Sequence, residues 1–114
     1  MESELLSLLF PEGLLDYFKV TDYKRESEKI HIYLEEKSIL PDGYTSKELY
    51  GNGFYEEIVV EDFPLRAHQV SLHIKRRRWV EKSTRVSVTR DWNLVAKGTR
   101  MTQEFASFLK EISR

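Results

Sequence analysis

Residues 69–79 read QVSLHIKRRRW, and this stretch decides what the chain can fold into. Val70, Leu72 and Ile74 alternate with polar residues, which is the period of a β-strand that turns one face to a core. The stretch then becomes four consecutive cations closed by a tryptophan. It therefore predicts a strand whose first half is buried and whose second half is a charged surface.

Other segments share the two-residue period of this strand. Residues 18–24 also fit a strand, which would pair with residues 29–35 across a polar turn. The periodic segments and their in-phase apolar residues are 29–35 (Ile30, Ile32 and Leu34), 56–62 (Ile58 and Val60) and 85–95 (Val86, Val88, Trp92 and Leu94).

Residues 69–79 and 85–95 are expected to form a hairpin in which paired residue numbers sum to about 166. In the distal half of this hairpin, neither face is apolar. We therefore expect a basic hairpin, at about residues 69–95, that projects beyond the sheet. The expected pairs are Leu72 with Leu94, Ile74 with Trp92 and Arg76 with Arg90.

The remaining segments complete an α+β prediction. Pro41, Asp42 and Gly43 indicate a turn, and residues 44–53 are interpreted as a loop. A helix is predicted to end near Phe10, with a short helical turn at 12–17, and Leu14, Leu15 and Phe18 are core candidates. A second helix over residues 102–113 has an apolar stripe. The sequence predicts an antiparallel sheet of about five strands, built from hairpins and flanked by an N-terminal and a C-terminal helix.

Composition limits the class of protein. A chain of 114 residues fits one domain, residues 1–114. The absence of cysteine excludes disulfides and Cys-based metal sites. No apolar run is long enough to span a bilayer, and residues 1–10 lack the cations of a secretory signal. We expect a cytoplasmic protein with no membrane association.

Charge is distributed unevenly along the chain. Residues 1–65 carry 6 Lys and Arg against 15 Asp and Glu, whereas residues 66–114 carry 12 against 4. The net charges are −9 and +8, which favours a polyanion-binding surface in the second half. Alternatively, the acidic half neutralises the basic half, with arginines lying over Glu56, Glu57 and Glu61.

The basic hairpin is the predicted nucleic-acid surface. A two-stranded ribbon fits a DNA major groove, and Lys or Arg on it can neutralise phosphates. Trp92 is interpreted as core, and Trp79 is left open between core and surface. The candidate DNA-binding residues are Lys75, Arg76, Arg77, Arg78, Trp79, Lys82, Arg85, Arg90, Lys97 and Arg100.

No catalytic, metal or cofactor site is predicted. The acidic pairs at 35–36, 56–57 and 61–62 are adjacent residues on strands, so their side chains point to opposite faces. His31, His68 and His73 have no zinc-site spacing, and His73 is interpreted as a sheet-surface residue. No nucleophile or phosphate-loop motif is present.

Three strings together resemble the N-terminal region of bacterial insertion-sequence transposases, a region often encoded as a short separate reading frame before the catalytic part. The strings are LFPEGLLDYF (9–18), HIKRRRW (73–79) and WNLVAKGTRMTQEFASFLKEI (92–112). This resemblance implies a non-catalytic module that binds the terminal inverted repeats of the element. It also implies a catalytic acidic triad downstream, on a separate part of the transposase.

Two other functions remain open from the sequence. The chain is alternatively an interaction module that docks on the catalytic part or self-associates, with the basic residues incidental. Binding of structured RNA is a weaker alternative, because phosphate neutralisation alone does not distinguish RNA from DNA.

Overall fold

A computed structural model of the chain describes Phe10, residues 14–65, residues 68–90 and Trp92, with the backbone alone for residues 62–65. Within these residues, one short helix precedes seven strands, and the structure is mostly β. The elements are α1 (Leu14–Tyr17), β1 (Phe18–Arg25), β2 (Lys29–Glu36), β3 (Leu49–Phe54), β4 (Ile58–Leu65), β5 (His68–Lys75), β6 (Arg77–Glu81) and β7 (Ser87–Val88).

Four strands form the larger sheet, sheet A, in the order β1-β2-β5-β4. β1 pairs antiparallel with β2, β4 pairs antiparallel with β5, and β2 and β5 run parallel. The parallel register sets the apolar residues of the two strands side by side, which combines their apolar faces into one layer. The pairs are Ile30 with Val70, Ile32 with Leu72, and Leu34 with Ile74.

The core is built on this layer. Leu34, Leu72 and Ile74 are almost completely buried. Leu14 of α1 and Phe18 of β1 are also fully buried against it, as the sequence predicts. The Phe18 ring stacks on the Trp92 ring with their centroids 5.3 Å apart, which confirms the interpretation of Trp92 as core.

The other three strands form an antiparallel sheet, sheet B, in the order β3-β6-β7. Trp79 of β6 lies between Gly51 of β3 and Val88 of β7. Residues 44–53, interpreted from the sequence as a loop, therefore contain most of β3. The prediction was wrong because glycines are poor strand formers, whereas here pairing with β6 overrides local propensity. An ideal Cβ on Gly51 would lie 3.9 Å from the Trp79 ring, an ordinary van der Waals contact, so packing against the indole does not require glycine at this position.

Turn chemistry is confirmed at Pro41-Asp42-Gly43. The Tyr44 amide donates to the Pro41 carbonyl oxygen at 3.3 Å, and Gly43 has a φ of 90°, which favours glycine.

Within the described residues, the prediction of one antiparallel sheet is corrected to two sheets, one of which contains a parallel pair. Period-two patterning identifies the buried face of a strand but not its neighbour or its direction. The predicted flanking helices at 1–10 and 102–113 fall outside the described residues, apart from Phe10.

The predicted hairpin of residues 69–95 is also corrected. Residues 69–79 form two strands, interrupted at Arg76, and β5 pairs with β2 and β4 rather than with the 85–95 segment. The observed hairpin is confined to β6 and β7, with Trp79 opposite Val88 and Val80 opposite Ser87. Its residues are not a free arm, because Trp79 and Val80 are both buried.

Of the described part of the chain, no helix has the length and apolarity needed to cross a membrane.

Leu72 tests the assignment of the core. Its side chain is 1% exposed and lies between Ile32 and Val60 on the neighbouring strands. We expect Leu72→Ala to lower the free energy of unfolding by about 2–5 kcal/mol, because deletion leaves a cavity in the core. Val59→Ala, at a position 52% exposed on β4, is expected to change it by less than about 0.5 kcal/mol. Urea unfolding measures both, and equal effects would contradict the assignment of this core.

Candidate nucleic-acid interface

Residues 75–78, called the basic run below, lie where the chain passes from sheet A to sheet B. Lys75 ends β5, Arg76 lies between the strands, and Arg77 and Arg78 begin β6. Lys75 is exposed and the three arginines are half-buried. Four of the predicted DNA-binding residues therefore come together at the connection between the two sheets.

Aromatic side chains support two of these arginines. The Arg76 guanidinium carbon lies 5.5 Å from the centroid of the Tyr55 ring, and that of Arg77 lies 4.8 Å from the centroid of the Phe54 ring. The Tyr55 amide also donates to the Arg76 carbonyl oxygen at 2.9 Å. Stacking on a ring orients a guanidinium while leaving N–H groups at its edge free to donate.

Two guanidinium nitrogens in the basic run are buried without a hydrogen bond to any described residue. They are Nε of Arg76 and Nε of Arg78. A buried N–H without an acceptor is destabilising. Arginine commonly binds phosphate or carboxylate through two parallel N–H donors, but these two Nε atoms are buried and can meet an anion only if the side chains move.

Within the described residues, no side-chain ion pair involves residues 75–78. The buried Glu36 carboxylate nevertheless interacts electrostatically with Arg77. Of the acids that the sequence offered as partners, Glu56 is exposed, and Glu57 lies 2.7 Å from His73 Nδ1. Glu61 accepts a hydrogen bond from Ser71 Oγ at 3.0 Å and lies 3.9 Å from Lys29 Nζ. The described structure thus gives Glu57 and Glu61 other partners.

Arg90, by contrast, belongs to the interior. It is 5% exposed, and its Nε donates to Glu36 Oε2 at 3.2 Å. Its Nη2 also donates to the Ile39 carbonyl oxygen, and its guanidinium carbon lies over the Tyr17 and Trp92 rings. This guanidinium is held within the fold and is separate from the exposed cations.

Glu36 connects the basic run to this buried pair. Its side chain is 1% exposed, and Oε1 accepts a hydrogen bond from the Arg77 amide at 2.9 Å. Arg77 Nε donates to the Glu36 carbonyl oxygen at 3.2 Å. Desolvation raises the pKa of the Glu36 carboxyl above its ordinary value of 4.5, and hydrogen bonds from Arg77 and Arg90 oppose that rise. The end of β2 is therefore fixed to the start of β6 by a carboxylate that is costly to bury.

Sequence reasoning missed Glu36, although a signal was present. Glu36 lies two residues after Leu34, in the same alternation as Ile30, Ile32 and Leu34. Its side chain therefore points to the buried face of β2. Arg90 likewise lies two residues after Val88 and two residues before Trp92. When an acid and a base each occupy a position in an alternating series of apolar residues, the two are candidates for one buried ion pair.

The other predicted contacts are dispersed. Lys82 and Arg85 are exposed near the β6–β7 turn, where Lys82 Nζ donates to the Ser46 carbonyl oxygen at 3.0 Å. Trp79 is 4% exposed and belongs to the interior. Lys97 and Arg100 fall outside the described residues.

In the described part of the chain, no group of three or more His, Cys, Asp or Glu is arranged to hold a metal ion. A scan against protein-family models, a search of curated proteins and a search of solved structures each return no match to the chain.

Glu36→Ala is expected to lower the free energy of unfolding by about 3–5 kcal/mol, because it leaves the Arg90 guanidinium buried without its counter-ion. The matched control is Glu35→Ala, which removes the neighbouring, half-buried carboxylate from the opposite face of β2. Urea unfolding at neutral pH measures both variants. A cost for Glu36→Ala no larger than for Glu35→Ala would contradict the structural role of the pair.

Glu36→Gln tests the direction of the pKa shift. Because the pKa of Glu36 is raised in the folded state, the native protein retains a proton that the unfolded chain releases as the pH rises through 4.5. The contribution of Glu36 to stability must therefore fall as the pH rises from 4.5 towards the folded-state pKa. We expect the unfolding free energy of the unsubstituted chain, minus that of Glu36→Gln, to decrease over this interval. A difference that increases with pH would show a lowered pKa instead.

Proposed function

We propose that this chain is a non-catalytic DNA-binding module and that the basic run, with Lys82 and Arg85, is its phosphate-contacting surface. The observation that carries the proposal is the group of four adjacent cations, none of which forms a side-chain ion pair with a carboxylate within the described residues. Glu36 contacts Arg77 through the Arg77 amide.

The mode of binding that we propose is contact with the phosphate backbone. A ribbon inserted in the major groove would need exposed side chains along two projecting strands. The β6–β7 ribbon has only two residue pairs, and both Trp79 and Val80 are buried. Cations at the connection between the sheets are instead suited to contacts with phosphates. Such contacts fix the position of a protein on DNA without reading its sequence.

The resemblance to the N-terminal region of insertion-sequence transposases supplies the proposed setting. In this setting, the target is the terminal inverted repeats of the element, the protein partner is the catalytic part of the transposase, and the location is the cytoplasm. Strand cleavage is assigned to that catalytic part and not to this chain.

A second candidate function is protein interaction, by docking on the catalytic part or by self-association. The supporting observation is that β1 and β4, the edge strands of sheet A within the described residues, expose apolar side chains. Tyr23 of β1 is 74% exposed and Val59 of β4 is 52% exposed. Unpaired strand edges of this kind can pair with another chain.

The DNA-binding proposal is tested with Lys75→Ala/Arg76→Ala/Arg78→Ala, which retains Arg77 because Arg77 contacts Glu36. Each phosphate that the variant no longer neutralises should lower the slope of log K against log salt by about 0.9. At 0.1 M salt that amounts to about 1.2 kcal/mol per phosphate, so we expect binding to a 30-base-pair duplex to weaken by about 3–4 kcal/mol. Fluorescence anisotropy over a salt series measures both quantities.

The matched control is Lys19→Ala/Lys24→Ala/Arg25→Ala, which removes three exposed cations of β1 and the same net charge. Equal effects in the two triple variants would contradict a localised surface, and unchanged binding in the first would contradict the proposal. A duplex carrying the element ends and an RNA duplex of equal length serve as competitors. Stronger competition by the RNA duplex would favour the RNA alternative.

A further inference from the structure

Two histidine rings meet on the face of sheet A opposite the core. His31 of β2 and His73 of β5 have ring centroids 4.9 Å apart, and His31 Nδ1 lies 2.7 Å from His73 Nε2. They are diagonal neighbours, because His31 is directly opposite Ser71 and His73 is directly opposite Tyr33. The parallel register of β2 and β5 therefore aims one nitrogen of each ring at the other.

The far nitrogen of each ring faces a carboxylate. His73 Nδ1 lies 2.7 Å from Glu57 Oε1, and His31 Nε2 lies 3.4 Å from Glu26 Oε1. The Tyr33 ring stacks on the His73 ring at 4.4 Å between centroids. A carboxylate on the far nitrogen favours the tautomer that has its N–H there, and so leaves the near nitrogen with a lone pair.

Proton placement makes the gap between the rings an electrophile site. If both far nitrogens carry their N–H groups towards the carboxylates, the two near nitrogens present lone pairs to each other at 2.7 Å. If the single N–H of His31 moves to Nδ1, it donates to His73 Nε2, but the lone pair of His31 Nε2 then faces Glu26 at 3.4 Å. A cation between the near nitrogens lets both far N–H groups face their carboxylates without setting two lone pairs against each other.

We propose that His31 Nδ1 and His73 Nε2 bind a divalent transition-metal ion of the class that prefers imidazole, represented by Zn²⁺. Zinc–nitrogen bonds are about 2.0–2.1 Å long, so tetrahedral coordination needs the two nitrogens to separate by only about 0.6 Å. Glu57 and Glu26 orient the rings, as carboxylates do behind metal-bound histidines. Water completes the coordination, because the described residues supply no cluster of three ligands.

The site differs from one that binds hard cations. Mg²⁺ and Ca²⁺ prefer oxygen ligands, whereas the groups converging here are imidazole nitrogens. Metal ions bind neutral imidazole, so affinity should fall as the solution is acidified. This inference is independent of the proposed DNA binding.

The first experiment is isothermal titration of the full chain with Zn²⁺ at pH 7.5, in two buffers of different ionisation enthalpy. We expect one Zn²⁺ per chain, proton release on binding and no heat of binding with Mg²⁺. Glu57→Gln should weaken Zn²⁺ binding about 10–100-fold, the usual cost of losing a residue that orients a ligand. His31→Asn and His73→Asn should abolish binding at this stoichiometry.

The matched control is His68→Asn, which removes the remaining histidine, at the opposite end of β5 from His73. We expect it to bind Zn²⁺ like the unsubstituted chain. Binding that survives His31→Asn and His73→Asn, or that is lost equally in His68→Asn, is adventitious and overturns the proposal. Failure of the unsubstituted chain to saturate by 1 mM Zn²⁺ also overturns it.

Nitrogen NMR of the unsubstituted chain decides the question if the variants do not fold. Zn²⁺ should shift the ¹⁵N resonances of His31 Nδ1 and His73 Nε2 much more than those of the far nitrogens. Shifts confined to the far nitrogens, or to His68, would place the metal elsewhere and refute the site.

Discussion

The carboxylate of Glu36 is the interaction on which the connection between the two sheets depends. It ends β2, accepts the Arg77 amide of β6 and pairs with Arg90 beyond β7. Replacing a buried ion pair with apolar residues is often neutral or stabilising, but removing one partner is costly. The raised pKa of Glu36 agrees with this balance, because desolvation outweighs the two arginines that favour the charged form. The pair fixes where β6 begins, and thereby where the basic run lies.

Sequence periodicity predicted correctly which face of β2 and β5 is buried, but it did not predict which strands pair with each other. The buried faces of β2 and β5 follow the alternation of Ile30, Ile32 and Leu34 and of Val70, Leu72 and Ile74. The parallel pairing of these strands was missed because alternation is the same in either direction. Residues distant in sequence determine that pairing, and the hairpin rule considers only adjacent segments. β3 was missed for a related reason, since Gly51 and Gly53 carry no pattern that reveals a partner.

The sequence predicted which residues make up the basic run, but not how deeply they are buried or which side chains they contact. Residues 75–78 do lie together, yet the three arginines are half-buried, and two of them stack on rings of Phe54 and Tyr55. The sequence could not show this, because those aromatic residues come from the segment before β4. Arg90 was grouped with the surface cations because charge alone was counted. Its phase with Val88 and Trp92 indicates burial, and the described structure agrees.

Alternation along β2 and β5 also separates two kinds of chemistry on one sheet. The last residue of β2 that faces the core is Glu36, whose carboxylate is buried. A buried anion needs a cation from within the fold, and here that cation is Arg90. The out-of-phase residues place His31 beside His73 on the opposite face, where solvent is close and carboxylates lie behind both rings. The charge of Glu36 on the core face therefore stabilises the fold and does not serve as a ligand site, because a ligand could reach Glu36 only by breaking its pair with Arg90. The histidines on the second face can meet a ligand without any opening of the core. The ligand site that we propose in sheet A therefore lies at the histidines rather than at the buried carboxylate.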